Sequence, residues 1–205
     1  MTAELAARLR RVEDRQELTE LILLYFHVMD ERELDALPAI FTQEAHLGSG
    51  DGVFDATGLD AITQTYRGRF DALGATFHYS HGLIVEFDET DPDTATGTST
   101  GHAEVVRHGT PMIVALRYRD RFRRTPGGWR IADRVMSYFY YTPADRYVQV
   151  MAAGARNLAY GDPRPADWPQ VLTGGDLSWL RSLAGRRVPM PAPHPESKGQ
   201  PHAHS

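Results

Sequence analysis

The sequence contains no cysteine, which excludes disulfides, thiolate nucleophiles and cysteine-bound metals. It has no run of about 18 apolar residues, the length that a membrane helix needs, and residues 1–11 are charged and helix-forming, unlike a signal peptide. The formal net charge of −5 provides no electrostatic attraction to nucleic acid or to an anionic membrane. We therefore expect a cytoplasmic protein without a nucleic-acid or membrane partner.

The composition that is present is that of an ordinary globular protein, with 41% hydrophobic and 24% charged residues in a chain of 205. This length allows one domain whose core can enclose a pocket. Eight of the thirteen prolines lie in the last 45 residues, which indicates an extension rather than a second domain. We expect a main domain over residues 1–142, a helical and proline-rich extension over 143–188, and a disordered tail over 189–205.

The first part of the chain has apolar residues at helical spacing. The pattern predicts a long helix from Ala3 to Arg32, a short one from Leu34 to Phe41 and a third from Leu59 to Leu73. Asp30 lies about 120–140° around the helical wheel from Tyr25, at the edge of the apolar stripe. Its carboxylate could therefore face a cavity beneath the helix, or it could be a solvated residue near the helix end.

Beyond the third helix the apolar period changes to two, which predicts antiparallel strands. The strands are expected over residues 76–87, 94–107, 112–124 and 129–141, after a hairpin at the glycine-rich residues 48–52. In the first of them, alternation places His78 and Ile84 on one face and Phe77 and Val85 on the other. Because the neighbouring strand also has a polar face, which includes His102, we expect a curved sheet with a partly wet interior.

The end of the last long strand carries an aromatic cluster, Tyr138–Tyr141. So many aromatic residues are hard to bury in one small domain, and we therefore expect a homodimer or homotrimer in which this strand or the extension forms part of the interface. The sequence Thr142-Pro143-Ala144-Asp145 combines an N-cap, a first-turn proline and an acidic third residue, and it predicts a helix from Pro143 to about Leu158. A second amphipathic segment, Leu177–Ala184, follows.

Few residues of this chain are suited to acid–base chemistry. His78 and His81 are three apart on a strand and therefore point to opposite faces, so they cannot bind one metal ion together without a bulge in the strand. Motifs of zinc proteases and nucleophile elbows are absent. A carboxylate such as Asp30, bound to one ring nitrogen of His78, would make the other nitrogen an effective general base. The alternative for an isolated histidine is a hydrogen-bonded strand residue without a chemical role.

Three segments carry a family resemblance: "LILLYFHVMDERELDALPAIF", "TFHYSHGLIVEFD" and "LRYRDRFRRTPGGWRIADRVMSYF". Over residues 10–142 the chain resembles the SnoaL-like branch of the NTF2-like superfamily. Within that branch, Asp30 and His78 are placed like the catalytic pair of scytalone dehydratase, lindane dehydrochlorinase and bile acid 7α-dehydratase. Tyr25 matches a tyrosine of the bile acid enzyme, and His102 matches the second histidine of scytalone dehydratase. Met29 departs from the tyrosine that scytalone dehydratase has there, and the dehydrochlorinase has a lysine in place of Tyr25.

The resemblance implies an α+β cone, in which the N-terminal helices pack on a curved, mixed-edge antiparallel sheet and enclose a pocket. It also implies a lyase without metal or cofactor, most simply a dehydratase that acts on a hydrophobic cyclic or polyketide-like alcohol. His78 would take a carbon-bound proton and Asp30 would orient it, while Tyr25 and His102 would hydrogen-bond the departing hydroxyl or a developing enolate. The substrate contacts expected on this basis are Tyr66, Phe26, Met29 and Tyr138.

Two other functions remain open at this point. An isomerase or polyketide cyclase would use the same base, because those reactions also begin with removal of a C–H proton. A non-catalytic small-molecule-binding or assembly subunit is the third reading, since one fold hosts unrelated functions.

Overall fold

The computed structural model describes residues 2–166, 168–170 and 174–189. The helices are α1 (Ala3–Glu31), a 3₁₀ helix (Leu34–Ala39), α2 (Leu59–Phe70), α3 (Tyr147–Met151) and α4 (Ser178–Gly185). The strands are β1 (Phe41–Ser49), β2 (Asp55–Thr57), β3 (Leu73–Phe87), β4 (Thr94–Arg107), β5 (Thr110–Thr125), β6 (Gly128–Pro143), β7 (Ala155–Asn157) and β8 (Arg164–Pro165). Except for residue 189, the expected disordered tail lies outside the described residues. None of the described helices combines the length and the apolar character that crossing a membrane would need.

The predicted α+β architecture with a mixed-edge sheet is confirmed. Strands β1 to β6 form one sheet in the order β2-β1-β6-β5-β4-β3. The neighbours are antiparallel except for β1 and β6, which are parallel. Helix α1 packs against β3 and β6, and α2 packs against β1 and β3. We call the sheet face beneath these helices the inner face and the opposite one the outer face.

Helix α1 is amphipathic only in its second half. Leu18, Ile22 and Tyr25 follow one another at helical spacing and are at most 2% exposed, whereas Leu5 and Val12 of the same pattern are more than half exposed. The helix begins after Thr2, whose hydroxyl accepts the amide of Leu5 at 3.3 Å. It ends at Arg32, which has a left-handed backbone (φ 58°). Asp30 therefore lies in the last turn, above the start of β3.

The Gly-Gly-Trp segment attaches the sheet to this helix. Trp129 is 1% exposed, and its indole Nε1 donates to Asp14 at 3.1 Å. Its backbone amide donates to Glu17 at 2.7 Å. Gly128 has φ +100°, which only glycine adopts without strain. These bonds satisfy buried polar groups, so the segment is structural.

Strand β3 corrects the predicted alternation of side chains. Its pairing with β4 shifts between Ser80 and Leu83, where β3 has one residue more than its partner, and Gly82 in this bulge has φ +104°. The extra residue reverses the faces, so His78 shares the inner face with Val85 rather than with Ile84.

The expected wet interior is also wrong in one respect. The inner face of β4 presents small and apolar residues, among them Ala95, Ser99, Gly101, Ala103 and Val105, and most polar side chains of the strand, His102 included, point to the outer face. Trp168 and Trp179 of the extension line the outer-face pockets that include Thr98, so the extension partly covers this face.

The predicted helix from Pro143 to about Leu158 is wrong. Residues 144–146 form a 3₁₀ turn, and α3 ends at Met151. The chain then returns to the sheet, where Asn157 pairs with Tyr141 and the amide of Leu158 donates to the Tyr141 carbonyl at 2.7 Å. Pairing with the free edge of β6 outweighs the local helical signal. The second predicted segment is confirmed as α4, with the amide of Ser178 bound to Asp176 at 2.9 Å.

The aromatic cluster at the end of β6 is largely buried inside the single chain. Tyr138 and Tyr141 are 3% and 5% exposed on the inner face. An irregularity in the pairing of β5 with β6 turns Phe139 and Tyr140 away from them. Phe139 lies against Trp168 of the extension, at 5.6 Å between ring centroids. The cluster is therefore no longer a reason to expect an oligomer.

Candidate active site

Asp30 and His78 are in direct contact, as the sequence predicted. Asp30 Oδ1 lies 2.6 Å from His78 Nδ1, and Asp30 Oδ2 accepts the backbone amide of His78 at 2.9 Å. The two side chains are only 13% and 16% exposed. Burial alone would raise the pKa of Asp30, but the hydrogen bonds and the charge of His78 outweigh it, and the pKa lies below its usual value. The carboxylate is therefore ionised at neutral pH.

The ring of His78 is fixed on its other side as well. Phe26 stacks on it, with 5.4 Å between ring centroids and planes 7° apart. With Nδ1 bound to a carboxylate, the proton of the neutral ring is kept on Nδ1 and Nε2 is left as the acceptor. No residue that the structure describes forms a hydrogen bond to Nε2, and the ring lines a cavity between the helices and the sheet.

The cavity offers about 60 Å³ to the centres of water-sized spheres. Its apolar lining includes Met29, Leu73, Ala103, Val105, Val114 and Leu116. Its polar lining, besides His78, includes Tyr25, Tyr66, Arg69, Tyr118, Tyr138 and Tyr141. A compartment of this size holds a few water molecules or one compact ligand, and its apolar walls strengthen any hydrogen bond made inside it.

The tyrosines form a hydrogen-bonding wall of the cavity. The hydroxyls of Tyr25 and Tyr66 are 2.9 Å apart. Burial, reinforced by the neighbouring Tyr25, raises the pKa of Tyr66 and of Tyr118 well above the usual value of 10. Both phenols therefore stay protonated at neutral pH, and they can donate hydrogen bonds to a ligand oxygen.

A buried ion pair supports this wall from below. Arg134 and Asp120 have side chains that are 0% exposed, and they form two hydrogen bonds of 2.7 and 2.8 Å. The guanidinium carbon of Arg134 lies 4.1 Å from the ring centre of Tyr25 and 4.3 Å from that of Tyr118. These cation–π contacts fix the orientation of both rings.

The structure does not bring every predicted site residue together. Tyr25, Tyr66, Met29 and Tyr138 line the cavity with His78, whereas Phe26 lies behind the histidine ring.

His102 is a correction. It is on the outer face of β4, since its inward-facing neighbours Gly101 and Ala103 occupy the inner side. There His102 Nδ1 lies 2.6 Å from His81 Nε2, and burial together with the nearby His81 lowers the pKa of His102. It cannot reach a ligand in the cavity.

Sequence reasoning missed Tyr118, Arg69 and the Arg134–Asp120 pair. Tyr118 and Asp120 could have been found, because they lie between the apolar Leu116 and Phe122 at a spacing of two residues on β5. They therefore share the inner face with these two residues. Arg69 is three residues after Tyr66, on the same side of α2. Arg134 offered no such signal, because the pairing of β5 with β6 shifts near Phe122.

A second histidine–carboxylate pair lies away from the cavity. His46 Nδ1 is 2.5 Å from Asp133 and its Nε2 is 3.4 Å from Asp55. The hydrogen bond to Asp133 raises the pKa of His46, and the burial of His46 only partly counteracts this effect. Among the residues described, no three histidine or carboxylate side chains converge as a metal site would require.

The SnoaL-like domain model matches residues 10–135. The chain belongs to the SnoaL-like family. It is 31% identical to an uncharacterized protein of Mycobacterium tuberculosis (strain ATCC 25618 / H37Rv) over 131 residues, which are 60% of this chain and 84% of that protein. The family assignment confirms the resemblance on which the expected fold rested.

Solved structures give the same result for this SnoaL-like chain. An NTF2-like protein with a cystatin-like fold from Novosphingobium aromaticivorans is 32% identical, has a TM-score of 0.52 and covers 66% of this chain and 88% of its own. The hexachlorocyclohexane dehydrochlorinase LinA-type3 from Novosphingobium barchaimii LL02 has a TM-score of 0.60 at 19% identity, over 66% of this chain and 93% of its own. The second likeness shows the fold alone.

Proposed function

We propose that this SnoaL-like protein is a cofactor-independent lyase that eliminates water from a small hydrophobic alcohol, with His78 as the general base. The observation that supports the proposal most strongly is the pair of hydrogen bonds that Asp30 accepts from the backbone amide and Nδ1 of His78, beside a mostly apolar cavity. A buried carboxylate on Nδ1 both fixes the tautomer and stabilises the imidazolium that forms when Nε2 takes a proton. The same fold serves a dehydrochlorinase, whose reaction is also an elimination.

The elimination can be written with the groups that line the cavity. His78 Nε2 removes a proton from the carbon next to a carbonyl, and the electron pair of that C–H bond forms the new double bond. The C–O bond of the departing hydroxyl breaks with its electron pair on the oxygen, and the hydroxyl takes up the proton that His78 Nε2 has received, so that it leaves as water and the neutral imidazole is restored. The phenols of Tyr66 and Tyr118, which remain protonated, hydrogen-bond the oxygen that gains charge.

The cavity limits the substrate to a compact molecule. The space open to the centres of water-sized spheres, about 60 Å³, is suited to a substrate with a single ring rather than to a multi-ring polyketide. We therefore place the substrate among small β-hydroxy carbonyl compounds with an apolar body.

An isomerase or cyclase is the second candidate, and one feature of the cavity favours it. Among the described residues that line the cavity, no second histidine or carboxylic acid is available to protonate a departing hydroxyl. Neutral phenols are well suited to hold an enolate oxygen. An isomerisation or cyclisation would then proceed from the same proton removal, with return of the proton to another carbon or formation of a C–C bond.

The test is a screen of β-hydroxy carbonyl compounds for loss of water, followed by variants on the best substrate. His78→Gln should lower kcat by a factor on the order of 10²–10⁴ and leave ligand affinity nearly unchanged, because a general base acts on the transition state. Asp30→Asn should act in the same direction, since an amide cannot stabilise imidazolium, and Tyr25→Phe should cost less.

His46→Gln is the matched control, because it removes an equally carboxylate-bound histidine that is outside the cavity. Equal turnover by the His78→Gln and wild-type proteins would refute the proposal. Conversion without change of substrate mass would identify an isomerase or cyclase. Ligand binding without any turnover would favour a non-catalytic binding protein.

A further inference from the structure

Arg69 is a cation in the wall of the same cavity. It lies on α2, one turn after Tyr66, and its side chain lines the space that His78 also faces. Its guanidinium donates to two phenols, from Nη1 to Tyr160 at 3.4 Å and from Nη2 to Tyr138 at 3.3 Å. Its Cζ lies 4.5 Å from the ring centre of Phe54.

Within the part of the chain that the structure describes, these contacts leave the charge of Arg69 without an anionic partner. Both hydrogen bonds are long for a charged donor, which normally binds an oxygen at about 2.7–2.9 Å. Across the described ranges, the ion pairs involve other arginines, and no carboxylate lies within 4.0 Å of the Arg69 guanidinium. The contrast with Arg134 is direct, because that arginine, which is completely buried, is bound twice by Asp120.

A charge in such a place costs free energy unless another charge compensates for it. Arginine has a planar set of donors that matches the two oxygens of a carboxylate. The cavity supplies the remaining contacts that a carboxylate on an apolar body would need, namely the Tyr138 hydroxyl and the apolar walls formed by residues such as Val114 and Leu116.

We propose that the ligand of this cavity carries a carboxylate, which Arg69 binds with the help of Tyr138, so that the reacting carbon is presented to His78. This inference rests on the proposed function, whose substrate class it narrows from small hydrophobic alcohols to hydroxy acids that also bear an apolar ring. Arg69 acts as a binding and orienting residue. The proton transfer and the loss of water are those already described, and the carboxylate is unchanged by them.

Titration calorimetry with single-ring probes tests the proposal without a known substrate. The probes are benzoate and cyclohexanecarboxylate, each compared with its neutral amide, benzamide and cyclohexanecarboxamide. The wild-type protein should bind each acid more tightly than its amide. Arg69→Met should weaken the acids by at least about tenfold and leave the amides nearly unchanged, because a charge-assisted double hydrogen bond is lost. Arg69→Lys should keep part of the preference for the acids.

Arg67→Met is the matched control, since Arg67 is an exposed arginine on the same helix. It should bind all four probes as the wild type does. A wild type that does not prefer the acids, or an Arg69→Met protein that keeps the preference, would overturn the proposal. Equal weakening of acids and amides would also overturn it, because it would show that Arg69 only braces Tyr138 and Tyr160.

The outcomes for Arg69 and for His78 can be separated. His78→Gln should bind the acids as the wild type does, so the binding experiment stands even if no elimination is found. Conversely, turnover of neutral β-hydroxy ketones that depends on His78, with no preference for acids in binding, would preserve the lyase and refute the carboxylate.

Discussion

The Arg134–Asp120 pair should be one of the most sensitive points of the molecule. Both side chains are completely buried, and two short hydrogen bonds join them. Removal of one partner leaves the other as an uncompensated charge in the core. Arg134→Met should therefore destabilise the fold by about 3–5 kcal/mol. In a chain of this size, each kcal/mol lowers the melting temperature by about 2–4 °C, so the expected decrease is about 6–20 °C.

Replacement of both partners should behave differently. In the Arg134→Met, Asp120→Leu protein no charge remains to be desolvated, and apolar side chains of similar volume take the place of the pair. Such exchanges are often neutral or stabilising. We therefore expect the double variant to be more stable than either single variant, with a coupling free energy of at least about 2 kcal/mol.

Thermal and urea unfolding, followed by circular dichroism, measure this cycle. Additive effects of the two substitutions would refute the reasoning, because they would show that neither charge depends on the other. Arg121→Met is a suitable control, because Arg121 follows Asp120 on β5 and its side chain is exposed on the outer face. Its loss should change stability by less than about 0.5 kcal/mol.

Two further predictions concern association and pH. We propose that the protein forms a homodimer or homotrimer through the outer face of β3, where Phe77 and Tyr79 are 53% and 42% exposed. Replacing both residues by Lys should reduce the mass measured by light scattering to that of one chain. A wild-type protein with the mass of a single chain would contradict the proposal. The raised pKa of His46 beside Asp133 means that its contribution to stability is fully present below about pH 6.5 and is lost as the pH rises through the higher folded value. The stability difference between wild type and His46→Gln in urea should therefore shrink above that pH, and a difference independent of pH would count against it.

The architecture and the central pair of the site could be predicted from the sequence for identifiable reasons. The spacing of Leu18, Ile22 and Tyr25 fixes the buried side of α1 and places Asp30 at its edge. The pairing of Asp30 with His78 followed from the family resemblance, because the spacing alone left a solvated Asp30 open. The turn signals between the strands are local and strong, so the antiparallel order from β3 to β6 followed from them.

The errors have three different causes, of which the first is an extra residue that interrupts a regular period. One residue in the bulge near Gly82 reverses the faces of β3, and alternation counted across it assigned His78 to the wrong companions. His102 was placed in the site by the expected polar inner face of β4 and by the resemblance, although its position opposite Ala115 and Tyr79 on the sheet decides its face. The helix predicted after Pro143 failed because a local capping signal carries no information about a distant strand edge.

The carboxylate of Asp30 joins chemistry to the main chain. One of its oxygens holds the ring of His78 and the other holds the amide of the same residue. The orientation of the imidazole is therefore reported by a single backbone proton, whose exchange with solvent can be followed by NMR in the resting protein. Any change that loosens α1 from β3 should be visible at that one amide before turnover is measured. The integrity of the site can in this way be measured without a substrate.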